Sequence, residues 1–138
     1  MTEHLELVFQ EMTTHNQLFC QFDDLHGVLL LDVKNPFSSD DFLLVSDIID
    51  QHFSAQGELQ GLIINSKKFP YWTSAQNRNE YLNFAREHHG KFKKVALGMG
   101  GFFVKVIAKI AHGRVHPKIK IFKYNQISEA QDWILHGK

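Results

Sequence analysis

Cysteine is nearly absent from the sequence: Cys20 is the only one, so no disulfide can form within the chain. A chain of 138 residues buries enough surface to fold without such a staple. Proline (three residues) and glycine (nine) are too scarce for a collagen-like or a Pro/Gly-rich disordered polymer. No stretch is long and apolar enough to span a bilayer, and no repeat or linker divides the chain. The opening residues, MTEHLELVFQ, lack both the basic start and the apolar run of a secretory signal. Together with the lone thiol, this sets the expectation of a cytoplasmic protein folding as one domain over residues 1–138. Cys20 lies in the run LFCQF and reads as a small buried hydrophobe.

Each half of the chain also lacks charge of one sign. Residues 1–60 contain a single base, Lys34, against eleven acids, and so net minus ten. Residues 61–138 contain four acids, Glu80, Glu87, Glu129 and Asp132, against fourteen bases, and net plus ten. The formal charge of zero conceals this split. Two arrangements follow from it. If the halves lie on different sides of the fold, the molecule is a dipole whose basic side attracts membranes, polyanions or an acidic partner. If the sheet interleaves them, the charges pair locally.

What is present suits a packed core: 43% of the residues are hydrophobic, with twelve Phe among them. Residues 1–26 read as extended segments, with β-type runs at LELVF and QLFCQF. The continuously apolar run GVLLLDV reads as a central strand. In PFSSDDF, Ser38 or Ser39 can cap a helix whose positive end Asp40 and Asp41 favour. Phe42, Val45, Ile49 and Phe53 then recur at helical spacing, with Leu43, Leu44 and Ile48 widening the face, until Gly57. LQGLIIN is a second buried strand, and KKFPYW leads through a loop to a helix starting at Thr73 or Ser74. That helix is mostly polar, with a thin stripe of Ala75, Leu82 and Ala85 flanked by Tyr81 and Phe84. KFKKVALGMGG gives a strand and a glycine turn, and FFVKVIAKIA a helix apolar almost all round. KIKIFKY is an alternating strand, and Ser128 with Gln131 has the pattern of a capping box opening a last short helix. Strands alternating with helices predict an α/β fold: a mixed, largely parallel sheet of four to five strands flanked by about four helices.

The apolar helix near residue 102 is the leading candidate for a site. Phe102, Phe103, Val106, Ile107 and Ile110 exceed what one sheet-facing stripe needs, so they either cover a pocket, dip into a membrane surface or simply fill the core. Lys105 and Lys109, four residues apart, either meet anionic headgroups or stand in water. Gly98, Gly100 and Gly101 form a turn ahead of this helix that either holds an anion on its N–H groups or is a tight turn alone. Phe69, Tyr71 and Trp72 either line an apolar cleft or plug the end of the core. The nine histidines show no metal-ligand spacing: His88 and His89 are adjacent on a helix, and Gly113 interrupts the step from His112 to His116. Neither a nucleophile elbow nor a phosphate-binding motif occurs, so no enzyme activity and no cofactor are expected. The acidic half argues against a nucleic-acid partner.

KNPFSSDDF, KKFPYWTS after GLIIN, KVALGMGG with FFVKVIAKIA, and KIKIFKYNQISEAQDWI resemble, in order and spacing, the SpoIIAA-like family of STAS and CRAL-TRIO-related α/β domains. The resemblance covers residues 27–136, and Trp72 just ahead of the second helix is typical of it. It implies a non-enzymatic module for which apolar or lipid-like ligands and membrane association have been considered. The better-known relatives are anti-sigma factor antagonists, switched by phosphorylation at the start of the second helix. By position Ser74 or Thr73 would correspond, although PYWTSAQ replaces their Asp-Ser-Ser-Gly type of word. The expected partners are therefore an apolar or amphiphilic small molecule, an anionic membrane surface touched peripherally, a protein partner, or a second copy of the chain.

Overall fold

The computed structural model describes residues 18–35, 37–67, 74–99 and 117–137. Its elements follow in the order β1 (Phe19–Asp23), β2 (Val28–Asp32), α1 (Ser39–Gln56), β3 (Leu59–Ser66), α2 (Ala75–His88), a 3-10 turn (His89–Lys91), β4 (Phe92–Met99), β5 (Lys118–Lys123) and α3 (Ile127–His136). The strands form one sheet in the order β1-β2-β3-β4-β5. β1 runs antiparallel to β2, and every later neighbour is parallel. The mixed, largely parallel sheet expected from the sequence is thus present with five strands. Three α-helices stand among the described residues against about four expected; the segments LELVF and FFVKVIAKIA lie outside them.

Strand order equals chain order, and this decides the charge question. The acidic elements β1, β2 and α1 occupy one end of the sheet, and Lys93, Lys118, Lys120 and Lys123 stand on β4 and β5 at the other. Among the described residues the halves are not interleaved, so their charge is separated along the sheet. Lys91 and Asp50, 2.6 Å apart, bridge the two ends.

One face of the sheet carries α1 and α2. Cys20, Phe22, Leu29, Leu31, Leu62 and Ile64 point into it and meet Phe42, Val45, Ile48 and Ile49 of α1. Leu43, expected to widen the helix face, points to solvent at 64% exposure, because the stripe that meets the sheet is narrower than the run of apolar letters. The other face carries α3, whose Ala130 and Ile134 cover Val28, Leu30, Ile63 and Ala96. On α2 the packed side is not the alanine stripe. Ala75 and Ala85 are exposed, whereas Asn77, Tyr81 and His88 are buried and Phe84 half-buried. The spacing is helical, but two of the four residues are polar, which hid the face from a hydrophobicity reading.

Caps explain where the helices start. Ser38 caps α1: its Oγ accepts from the Asp41 N–H at 3.2 Å, and the Asp41 carboxylate accepts from the Ser38 N–H at 2.8 Å. Ser74 caps α2, its Oγ accepting from the Asn77 N–H at 3.0 Å. At α3 the expected box is absent. The helix starts two residues earlier, with Gln126 as its cap residue, and Ser128 falls inside the first turn where it has no cap to make. The other end of α3 is held by Lys94, whose ammonium donates to the carbonyls of Trp133, Ile134 and Gly137 at 2.9, 3.2 and 2.7 Å.

Candidate functional site

β2, β3 and β4 all point the same way, so their carboxyl ends form one edge of the sheet, and α1 and α2 begin at that edge. In open parallel sheets this is the edge at which ligands bind. Four of the five buried polar residues among those described, Asp41, Asn65, Ser66 and Asn77, gather at these strand ends and helix starts.

Each of three has an identifiable partner. Asp41 completes the α1 cap. Asn77 donates from its side-chain amide to the Phe37 carbonyl at 3.0 Å, while the Phe37 N–H donates to the Tyr81 hydroxyl at 3.1 Å. The first turns of α2 are thereby locked to the loop ahead of α1. Phe37, Phe42 and Tyr81 fill the angle between them with edge-on and tilted rings. Asn65, on the α3 side of β3, donates to Asp32 Oδ1 and Asn125 Oδ1, both at 3.2 Å, and accepts from the Asn125 N–H at 2.8 Å. This holds Asn125 at φ 71°, a left-handed turn that asparagine tolerates better than most residues. The fourth, Ser66, is different: its hydroxyl is fully buried and has no hydrogen-bond partner among the described residues.

Of the residues singled out in the sequence, Ser74 and Gly98 are placed at this edge. Ser74 is exposed at the start of α2. Gly98 is a buried strand residue of β4, and a Cβ there would approach the Asn65 side-chain oxygen to 2.9 Å. Phe69, Tyr71, Trp72, Thr73, Gly100 and Gly101 lie outside the described residues, as do Phe102, Phe103, Lys105, Val106, Ile107, Lys109 and Ile110. The described residues that flank them, Lys67, Ser74 and Met99, stand at this edge.

Two further groups escaped the sequence reading. At the other end of α2, His88 is buried against α1. The Lys91 ammonium has no lone pair, so at 3.2 Å it donates to His88 Nδ1, leaving Nε2–H to donate to Ser46 Oγ at 3.0 Å. Burial first, and then the Lys91 charge, lower the His88 pKa against the opposing pull of Asp50 and Glu87. On the α3 face, the ammonium groups of Lys94 and Lys120 lie 5.2 and 6.0 Å from the Trp133 ring centre, beside an open groove lined by Lys120, Phe122, Glu129 and Asp132. Cys20 fits its reading as a core residue, since burial, with Asp41 adding to it, pushes the thiol up to about 12. Such a thiol is a poor nucleophile.

Among the described residues no helix is long and apolar enough to cross a membrane. No curated protein and no solved structure matches the chain. The sequence model of the SpoIIAA-like family matches residues 28–135, a span running from the first residue of β2 into the last turn of α3. The chain belongs to the SpoIIAA-like family, whose members are STAS-type α/β modules.

Proposed function

We propose that the protein is a non-enzymatic binding module that holds an apolar or lipid-like ligand on the α1/α2 face of the sheet, toward β4 and β5. The observation that supports this is an unfinished floor. Ile119 and Ile121 of β5 extend the apolar surface of Val95 and Leu97, yet both remain half-buried. β4 and β5 are parallel neighbours, as are β2 with β3 and β3 with β4. The connection between β4 and β5, residues 100–116, lies outside the described residues. Its sequence supplies Phe102, Phe103, Val106, Ile107 and Ile110 as ligand-contacting residues, with Phe69, Tyr71 and Trp72 from the neighbouring connection. Lys105 and Lys109, with Gly100 and Gly101 following β4, are the residues this reading assigns to an anionic headgroup or a membrane surface, while Gly98 is a buried residue within β4 and not part of a turn.

Native mass spectrometry with lipid extraction of the purified protein tests this reading. A co-purified or exchangeable amphiphile is the expected result, and a clean apo mass that persists after incubation with fatty acid and phospholipid overturns it. Flotation with anionic vesicles tests the peripheral-membrane form. Binding that Lys105→Glu with Lys109→Glu abolishes is expected, and binding unchanged by that pair counts against it.

A second reading, a protein-interaction regulator of the anti-sigma antagonist type, is favoured by Ser74. It is exposed, and a phosphate there would meet a helix start with no acidic residue in its first turn. Phosphopeptide mapping after treatment with a kinase-containing lysate should find Ser74 or Thr73 modified. A map with neither site removes the main support for this reading.

A further inference from the structure

Among the described residues, the carboxyl edge of the sheet contains one buried group without a partner and one helix start with no acid in its first turn. The Ser66 hydroxyl is fully buried with no hydrogen-bond partner among the described residues, a state that costs free energy unless something binds the group. Ser66 alternates with Leu62 and Ile64 toward the face that α1 and α2 cover, at the strand end from which the connection to α2 departs. The Val33 N–H donates to the Asn65 carbonyl, so Ser66 lies next to the loop that Asn77 and Tyr81 lock to the first turns of α2.

The two helices that begin here are not equivalent. α1 carries Asp40 and Asp41 in its first turn, which neutralise its positive end. α2 has no acid in its first turn. Ser74 caps the Asn77 N–H, leaving the N–H groups of Ala75 and Gln76 without an acceptor inside the helix. The nearest carboxylate on α2, Glu80, accepts from the Ser39 hydroxyl at 2.7 Å. Arg78, basic and exposed, is the only charged residue described within four positions of Ser74.

We infer that Ser66 and the N-terminus of α2 together form an oxyanion site, and that it receives the carboxylate or phosphate head of the amphiphile whose apolar part lies over β4 and β5. This rests on the apolar-ligand reading above. The hydroxyl donates one hydrogen bond to the oxyanion, the free N–H groups of the first helical turn donate others, and the helix dipole supplies the balancing partial charge. A neutral head cannot use the dipole, so the site selects anionic over neutral amphiphiles.

The test compares oleate with oleyl alcohol, and acetate with inorganic phosphate, on the full chain. Ser66→Ala strands no partner, and Gln76→Glu places a carboxylate where it favours the helix but repels an anion, so both variants are expected to fold, which circular dichroism checks. Oleate should bind the wild type more tightly than oleyl alcohol, and each variant should weaken oleate by about tenfold while leaving the alcohol unchanged. Oleate and alcohol binding alike, with neither variant altering the preference, overturns the oxyanion site and leaves the apolar reading standing. If neither amphiphile binds, the apolar reading fails, and the amide shifts of Ala75 and Gln76 on adding phosphate or acetate decide the site alone. Shifts lost in Gln76→Glu support a free-anion site, and no shifts overturn it.

Discussion

Gly61 of β3 lies directly beneath Ile134 of α3: a Cβ on Gly61 would stand 2.6 Å from both the Cδ1 and Cγ2 atoms of the isoleucine. The α3 helix therefore rests on the sheet at a point where only a glycine fits. Gly61→Ala should destabilise the protein by about 1–3 kcal/mol through overpacking. Adding Ile134→Ala should cost less than the two single changes together, because the second opens the space the first requires. Urea unfolding of the four-member cycle measures this, and strict additivity would sink the explanation.

Lys94 holds the far end of the same helix through three carbonyls. Lys94→Met keeps much of the stem and removes the donor, so those carbonyls lose a charged partner. A loss of about 1–3 kcal/mol is expected. The loss should persist at high salt, because these are short, half-buried contacts that mobile ions screen poorly. An effect that disappears in 1 M salt, a condition where the Debye length is about 3 Å, would assign Lys94 an ordinary surface role.

His88 links stability to pH. Its folded pKa lies below the ordinary 6.5, mainly from burial, so the neutral form is the one the fold accommodates. The contribution is complete above about 6.5 and is lost as pH falls from there through the folded value, since the unfolded chain takes up the proton first. His52, stacked on Phe22 with ring centroids 3.6 Å apart, is lowered by burial and acts in the same direction. Urea midpoints should therefore fall between pH 7 and 5.5, and His88→Gln should flatten the decline. An equal slope in the variant refutes the assignment.

Asn65 ties β2, β3 and the turn before α3 into one unit. Asn65→Ala should cost about 1–3 kcal/mol by leaving Asp32 and Asn125 short of a partner. Hydrogen exchange at the Asn125 amide should accelerate by more than the global loss of stability accounts for, because its acceptor is gone. Asn125→Gly keeps the turn geometry and the backbone N–H, and so should be the milder change.

The elements themselves were legible in the sequence because they follow from local rules. VLLLD and LQGLIINS are apolar on both sides of the chain, as strands covered on both faces must be, and Ser38 and Ser74 announce their helices by capping chemistry. The site was legible only in part. Ser74 and the glycine of β4 were marked, but Ser66 was not, since a serine ending an apolar strand carries no signal until its surroundings are known. The side of α2 that packs was misread for the same reason: Asn77 and His88 look like solvent-facing letters.

What the sequence alone determined is the alternation of strands and helices, the family they belong to, and the opposite charge of the two halves. The tertiary structure decided where those charges lie, since a sheet whose strands keep chain order separates what another order would have mixed. It also decided which polar groups could be buried. Asn77 finds Phe37, His88 finds Ser46, Lys94 finds Trp133 and Asn65 finds Asn125, each across roughly forty to sixty residues of chain. No local pattern encodes such pairs, because a buried polar group is acceptable only when the fold has brought its partner to it.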